Sequence, residues 1–240
     1  MPLDNLPNDE CESYVYDGVT SSDNFSIIPS YYANDFDNIG SLTKFSKKVF
    51  LLYGRQYYSD SWTRDDFYDG IRIEGQNLKK FINNYTVAGL ILTGINSPIN
   101  MSTNDYYTRF QSYITLLRIN NLNLKIGLYL NASTMILNKN EKQWFDFSKI
   151  NLIMDYYLIT FHGFNDCTKT LLNGGTTPLD SNDPKINTLN KFAEALSVSN
   201  IAKEKVYFEF VITPSIPFAN ISTIMHCDIS YDELAKKQQP

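Results

Sequence analysis

His162, His226 and Cys227 are the side chains of this 240-residue chain best suited to nucleophilic or metal chemistry. Their spacing does not assemble a site. His226 and Cys227 are adjacent, and neighbours in sequence rarely aim at one atom; no Asp or Asn that would orient the imidazole can be picked out. The three cysteines, Cys11, Cys167 and Cys227, are odd in number, and no two have metal-ligand spacing. At most one disulfide can form within the chain, and buried or idle thiols fit equally well. Neither a metal nor a cofactor is expected. The acidic pairs Asp65-Asp66 and Asp232-Glu233 read as solvated acids or helix-start charges. The pairs Tyr57-Tyr58 and Tyr106-Tyr107 read as packing or surface residues.

The elements that must position any site follow from hydrophobic patterning. Six apolar runs have strand character: Tyr14–Tyr16, Val49–Tyr53, Val87–Leu92, Leu124–Leu130, Tyr156–Phe161 and Val206–Ile212. Several are apolar at consecutive positions, as suits strands of a parallel sheet buried on both faces. Between them, Tyr106, Phe110, Tyr113, Ile114 and Leu117 recur at helical spacing, as do Ile186, Leu189, Phe192, Ala193 and Leu196. Each set lays one apolar stripe onto a sheet. The alternation predicts a βα-repeat fold, either a barrel or an open doubly wound sheet. No linker divides residues 1–240, which read as a single domain.

Composition narrows the function classes. The net charge of -5 and the lack of a basic run oppose binding to a phosphate backbone. No stretch is long and apolar enough to span a bilayer. The segment Met1–Glu10 is polar and lacks the apolar core of a signal peptide, so either the protein is cytosolic or its signal has been left off this chain. Five Asn-x-Ser/Thr sequons, beginning at Asn24, Asn84, Asn100, Asn131 and Asn220, permit a secreted glycoprotein.

Several words go further than periodicity. Cys11-Glu-Ser-Tyr-Val-Tyr-Asp-Gly-Val followed by Asp23-Asn-Phe resembles the second barrel strand of animal chitinases and imaginal disc growth factors, glycoside hydrolase family 18. Asp35-Phe-Asp-Asn-Ile-Gly and Val49-Phe-Leu-Leu-Tyr-Gly resemble the approach to the third strand and the strand itself, with Arg55 where the family has a second Gly. Lys80-Phe-Ile-Asn resembles the helix before the fourth strand. Trp144-Phe-Asp-Phe and Leu152 to Phe164, with His162-Gly-Phe, resemble the sixth strand and its turn. Glu204 to Pro214 resembles the seventh strand, and Ser230-Tyr-Asp-Glu-Leu the short helix beyond it. The resemblance implies an α/β fold of (β/α)8 TIM-barrel type. Counterparts of strands two to seven are recognisable, so the barrel in this chain is expected to be incomplete, without the family's insertion domain.

The departures fall on the chemistry. The family's catalytic strand reads Phe-Asp-Gly-x-Asp-x-Asp-x-Glu; here Val87 to Ile95 stands in its place, with Ala88, Ile91 and Thr93 where the aspartates would be and Ile95 where the catalytic glutamate would be. Such enzymes use the substrate's own acetamido carbonyl as nucleophile, a glutamic acid to protonate the leaving oxygen and an aspartate to stabilise the positive ring. General acid catalysis is worth about 10²–10⁴-fold, and the electrostatic contribution adds to it. No Asp or Glu occurs between Gly75 and Asp105, so slippage of a few residues does not recover the motif.

The resemblance therefore implies a protein that does not hydrolyse chitin. It binds chitin-type N-acetylglucosamine oligosaccharides or acts as a secreted signalling factor. The alternative is a structural or interaction protein, or a degenerate fragment, without a sugar ligand. An enzyme of other chemistry on the same barrel ranks lower, for want of convergent acids. Aromatic faces near C-terminal strand ends suit a sugar groove. Tyr16, Tyr129 and Phe161, with His162, are the candidate sugar-contacting residues. A protein partner covering the open strand edges at Cys11 and Val206 is a further expectation.

Overall fold

The structure, a computed structural model, describes residues 11–44, 47–55, 67–95, 103–139, 145–166, 168, 171 and 176–210. Seven strands and five helices alternate along it. The strands are β1 (Ser13–Ser21), β2 (Ile27–Pro29), β3 (Lys48–Arg55), β4 (Gly89–Leu92), β5 (Lys125–Asn131), β6 (Tyr156–Thr160) and β7 (Val206–Glu209). The helices are α1 (Asp35–Leu42), α2 (Phe67–Tyr85), α3 (Thr103–Asn120), α4 (Ala132–Leu137) and α5 (Leu189–Val198). The sheet order is β2-β1-β3-β4-β5-β6-β7, and β1, β3, β4 and β5 are parallel. This is the strand–helix alternation expected from the apolar runs, in its mostly parallel form. The run Val206–Ile212 is described as far as Phe210, and the helix-like Ser230-Tyr-Asp-Glu-Leu word lies outside the described residues.

The chain forms two compact units, residues 1–129 with 145–158, and 130–144 with 159–240. In the first, side-chain parity sorts the sheet into two faces, because alternate residues of a strand point to opposite sides. Leu51 and Tyr53 of β3 are paired in register with Leu90 and Leu92 of β4, which pair with Ile126 and Leu128 of β5. All six are buried, and Tyr53 shows that this is the helix face: its hydroxyl donates to Glu74 Oε1 of α2 at 2.7 Å. Tyr113 of α3 donates to the same oxygen at 2.8 Å. α2 buries Ile71, Glu74, Leu78 and Phe81. α3 buries Tyr106, Phe110, Tyr113, Ile114 and Leu117, the apolar stripe that the spacing predicts. The two helices approach closely at Gly75, where an added Cβ would stand 2.6 Å from the Asn120 side-chain nitrogen.

The opposite face carries Phe50 and Leu52, in register with Gly89 and Ile91, which in turn pair with Lys125 and Gly127. The two glycines make room for rings. Phe50 meets Tyr156 edge-on, 5.5 Å between centroids, and the Tyr156 hydroxyl donates to the Leu90 carbonyl at 2.8 Å. Burial, and then the Asp155 carboxylate, push the Tyr156 phenol above its ordinary pKa, so it stays a donor.

β1 is longer than the apolar run Tyr14–Tyr16 suggests. It continues through Asp17-Gly-Val-Thr-Ser, with its register against β3 shifted between Asp17 and Val19. The short β2 pairs antiparallel with Val19–Ser21 and covers that part of the outer edge.

In the second unit, Thr188 caps α5 by accepting from the Lys191 N–H at 3.2 Å. The buried residues of α5 are Phe192 and Ala195. Ala193, placed on the apolar stripe by its spacing, is exposed; the helix starts at Leu189, and its buried face turns one step away from the one projected back to Ile186. Lys139 Nζ reaches Glu194 Oε2 of α5 at 2.8 Å, tying the end of α4 to that helix.

Candidate functional site

β4 places the residues that the resemblance aligns with the acidic motif. Ile91 lies on the face opposite the helices and is 2% exposed. Its register partners are Leu52 on one side and Gly127 on the other. Thr93 follows the strand, half-buried, and its N–H donates to the Tyr53 carbonyl at 2.9 Å. Gly94 has φ 69, a left-handed conformation glycine adopts without cost. Ile95 is buried at 9% exposure. The side chains at Ile91 and Ile95 are thus apolar and packed. They can neither give a proton nor balance a positive charge.

The same parity assigns the aromatic candidates. Tyr129 lies two residues beyond Gly127, so it shares the face of Ile91; it is half-buried. Tyr16 does not share that face. Its register partner is Leu51, and its hydroxyl donates to Asp35 Oδ1 of α1 at 2.8 Å and accepts from Asn38 Nδ2 at 3.0 Å. It also stands in mid-strand, because β1 runs on to Ser21. Burial, the Asp35 hydrogen bond and nearby Asp35 and Asp17 charge outweigh the Asn38 contact and raise its pKa. The Asp35 carboxyl in turn is held below its usual range: burial opposes this, but the Tyr32 and Tyr31 N–H groups and the Tyr16 hydroxyl prevail.

In the second unit, Phe161 is 3% exposed and belongs to an aromatic core. Its ring meets Phe192 of α5 at 5.0 Å, Phe164 at 5.1 Å, and Phe210 in a parallel stack at 4.6 Å. Phe161 follows the last residue of β6, and its side chain is used in packing. His162 follows in an exposed turn. Its N–H donates to Thr160 Oγ1 at 3.0 Å, and Gly163 closes the turn at φ 62.

One acid on the Ile91 face was not singled out by sequence. Asp17 pairs in register with Leu52, is exposed, and accepts from the Tyr31 hydroxyl at 3.2 Å. The signal was its parity in a strand whose polar half, Asp17 to Ser21, does not look like one. It is the single carboxylate on that face among the described strands of the first unit. Acid–base glycosidase chemistry needs a second group. No group of three or more His, Cys, Asp and Glu side chains suited to a metal occurs among the described residues. Cys11 is a free thiol there. Cys167, His226 and Cys227 lie outside the described residues, as do Tyr57, Tyr58, Asp65 and Asp66.

The fold is that of chitinases. The chitinase domain of the spore coat protein CotE from Clostridium difficile superposes with a TM-score of 0.66 at 14% identity, over 97% of this chain and 67% of that one. A chitinase from Rhizomucor miehei matches with a TM-score of 0.61 at 16% identity, over 85% and 58%. An immunomodulatory active chitinase from Trichuris suis matches with 0.61 at 13% identity, over 85% and 59%. The chain thus spans about two thirds or less of the length of these proteins. No family model and no curated protein sequence matches it. The structural likeness covers most of the chain and agrees with the family 18 resemblance of its strand words.

Proposed function

We propose that this chain is a catalytically inactive chitinase-like protein, exported from the cell, that binds N-acetylglucosamine oligosaccharides on the sheet face of Tyr129. The observation that carries the reading is the packing of Ile91 and Ile95, apolar and buried where a family 18 enzyme needs an aspartate and a glutamate. Asp17, one exposed carboxylate held by the Tyr31 hydroxyl, does not replace a pair. Tyr129 supports retained binding by its position, half-buried on the sheet face of Ile91.

A second reading, a structural or interaction protein with no sugar ligand, is favoured by Tyr16 and Phe161. Both aromatic candidates are engaged in packing against helices. Calorimetric titration with N-acetylglucosamine oligomers separates the two readings. Heat of binding that Tyr129→Ala weakens supports the lectin-like protein. Absence of binding at millimolar oligosaccharide leaves the structural one.

A further inference from the structure

The sequons that the sequence presents as equals differ in the folded chain. Glycan attachment uses the Asn side-chain nitrogen. That atom forms an N-glycosidic bond to the anomeric carbon of a lipid-pyrophosphate-linked oligosaccharide. The carbon–oxygen bond to the pyrophosphate breaks, the lipid pyrophosphate leaves with the electron pair, and the amide proton passes to a base of the transferase. A folded protein tolerates the product only where that nitrogen faces solvent with room for a bulky, hydrated group.

The side-chain nitrogen of Asn131 is instead engaged within the fold, in a contact at the surface. The residue is half-buried at the end of β5 and is the N-cap of α4. Its Oδ1 accepts from the Ser133 N–H at 2.9 Å, the Thr134 N–H at 3.3 Å and the Ser133 hydroxyl, so the sequon's own serine is tied up in the cap. Its Nδ2 donates to the His162 carbonyl at 3.3 Å. The attacking atom is therefore the link between α4 and the turn after β6.

Asn24 and Asn84 meet the requirement for solvent. Asn24 is exposed in the turn between β1 and β2. Its Oδ1 accepts from Ser22 Oγ and, at 3.3 Å, from the Ser26 N–H, an Asx-turn that uses the oxygen alone. The neighbouring Phe25, at φ 63, is packed over Gly70, where an added Cβ would stand 2.1 Å from its ring; it anchors the turn while Asn24 remains in solvent. Asn84 is exposed in the last turn of α2, and no hydrogen bond among the described residues uses its amide. Thr86, the third residue of that sequon, is also exposed and ends the helix at φ 52.

We infer that Asn24 and Asn84 are glycan-bearing sites of the exported protein and that Asn131 is a structural residue left unmodified. The inference rests on export, which belongs to the proposed function, and is independent of sugar binding and of catalysis. The test is site mapping on the full chain, secreted from a eukaryotic host behind a cleavable signal sequence. Enzymatic deglycosylation in heavy-oxygen water converts each occupied Asn to labelled Asp for mass spectrometry. Label at Asn24 and Asn84 with none at Asn131 is the expected result. Label at Asn131 in the soluble secreted fraction, or none at both Asn24 and Asn84, overturns the inference. Retention of the chain inside the host overturns export instead. A second measurement uses unglycosylated protein from bacteria. Asn131→Gln is expected to lower the melting temperature, whereas Asn84→Gln leaves it within experimental scatter; a neutral Asn131→Gln contradicts the structural role.

Discussion

Tyr156 lies over Gly127 so closely that a Cβ added to the glycine would stand 2.1 Å from a ring carbon. The relationship explains why β5 carries a glycine in mid-strand, where it ordinarily weakens pairing. Gly127→Ala is expected to destabilise the protein by about 1–3 kcal/mol, the usual cost of overpacking a filled core. Tyr156→Ala in the same background should recover part of the alanine penalty. Denaturant unfolding of the four proteins checks this, and additive losses would contradict it.

Asp155 makes stability depend on acid. Its Oδ2 accepts from Arg118 Nη2 at 2.6 Å and from the Ile126 N–H at 2.9 Å, and its Oδ1 from Lys125 Nζ at 3.0 Å. Burial works to raise its pKa, but these donors prevail and hold it below the ordinary value. A carboxyl depressed in the folded state contributes stability that is present above its unfolded pKa of about 3.9 and is lost as pH falls through the folded value. Asp155→Asn is therefore expected to cost about 1–2 kcal/mol at neutral pH and progressively less below pH 4. Urea midpoints from pH 7 to pH 2 measure it. A penalty that is independent of pH would contradict the assignment.

Glu74 is fully buried beneath the sheet and accepts from both Tyr53 and Tyr113. Glu74→Ala leaves two buried hydroxyls short of an acceptor and opens a cavity, a loss of about 3–5 kcal/mol. Tyr53→Phe and Tyr113→Phe each remove one hydrogen bond and should cost about 1 kcal/mol. If Glu74→Ala unfolds the chain, the two tyrosine variants still carry the comparison. Thermal melts that leave all three unchanged would show that the cluster does not hold α2 and α3 to β3.

Tyr16 and Tyr129 should part company in binding. Tyr16→Phe removes contacts to Asp35 and Asn38 on the helix face, so it should lower stability by about 1 kcal/mol and leave oligosaccharide affinity alone. Tyr129→Ala is expected to weaken affinity about tenfold, the loss of one aromatic contact of about 1.4 kcal/mol. Titration calorimetry on both variants decides; equal effects would argue against the face assignment.

The parallel sheet was legible from runs such as Val49–Tyr53, apolar on consecutive residues, the mark of burial on both faces. α3 was legible from its stripe. β1 was cut short because Asp17 to Ser21 is polar and contains a glycine bulge, and β2 was missed because three residues ending in Pro29 carry no period. α4, six residues long, is too short to show one. Of the site, the chain position of β4 was readable from sequence. The faces of Tyr16 and Phe161 were not, because a face depends on where the strand begins, and a shift of one residue reverses it. The cap formed by Asn131 was also hidden, since a sequon and a helix N-cap use the same residue types.

The most direct test of the central claim is turnover of a fluorogenic chito-oligosaccharide by the purified chain, followed from pH 4 to pH 8. No release above that of buffer with heat-denatured protein is expected, because Ile91 and Ile95 supply neither acid nor charge. Saturable hydrolysis that follows the protein through successive chromatographic steps would contradict it and place the chemistry on residues other than those of β4.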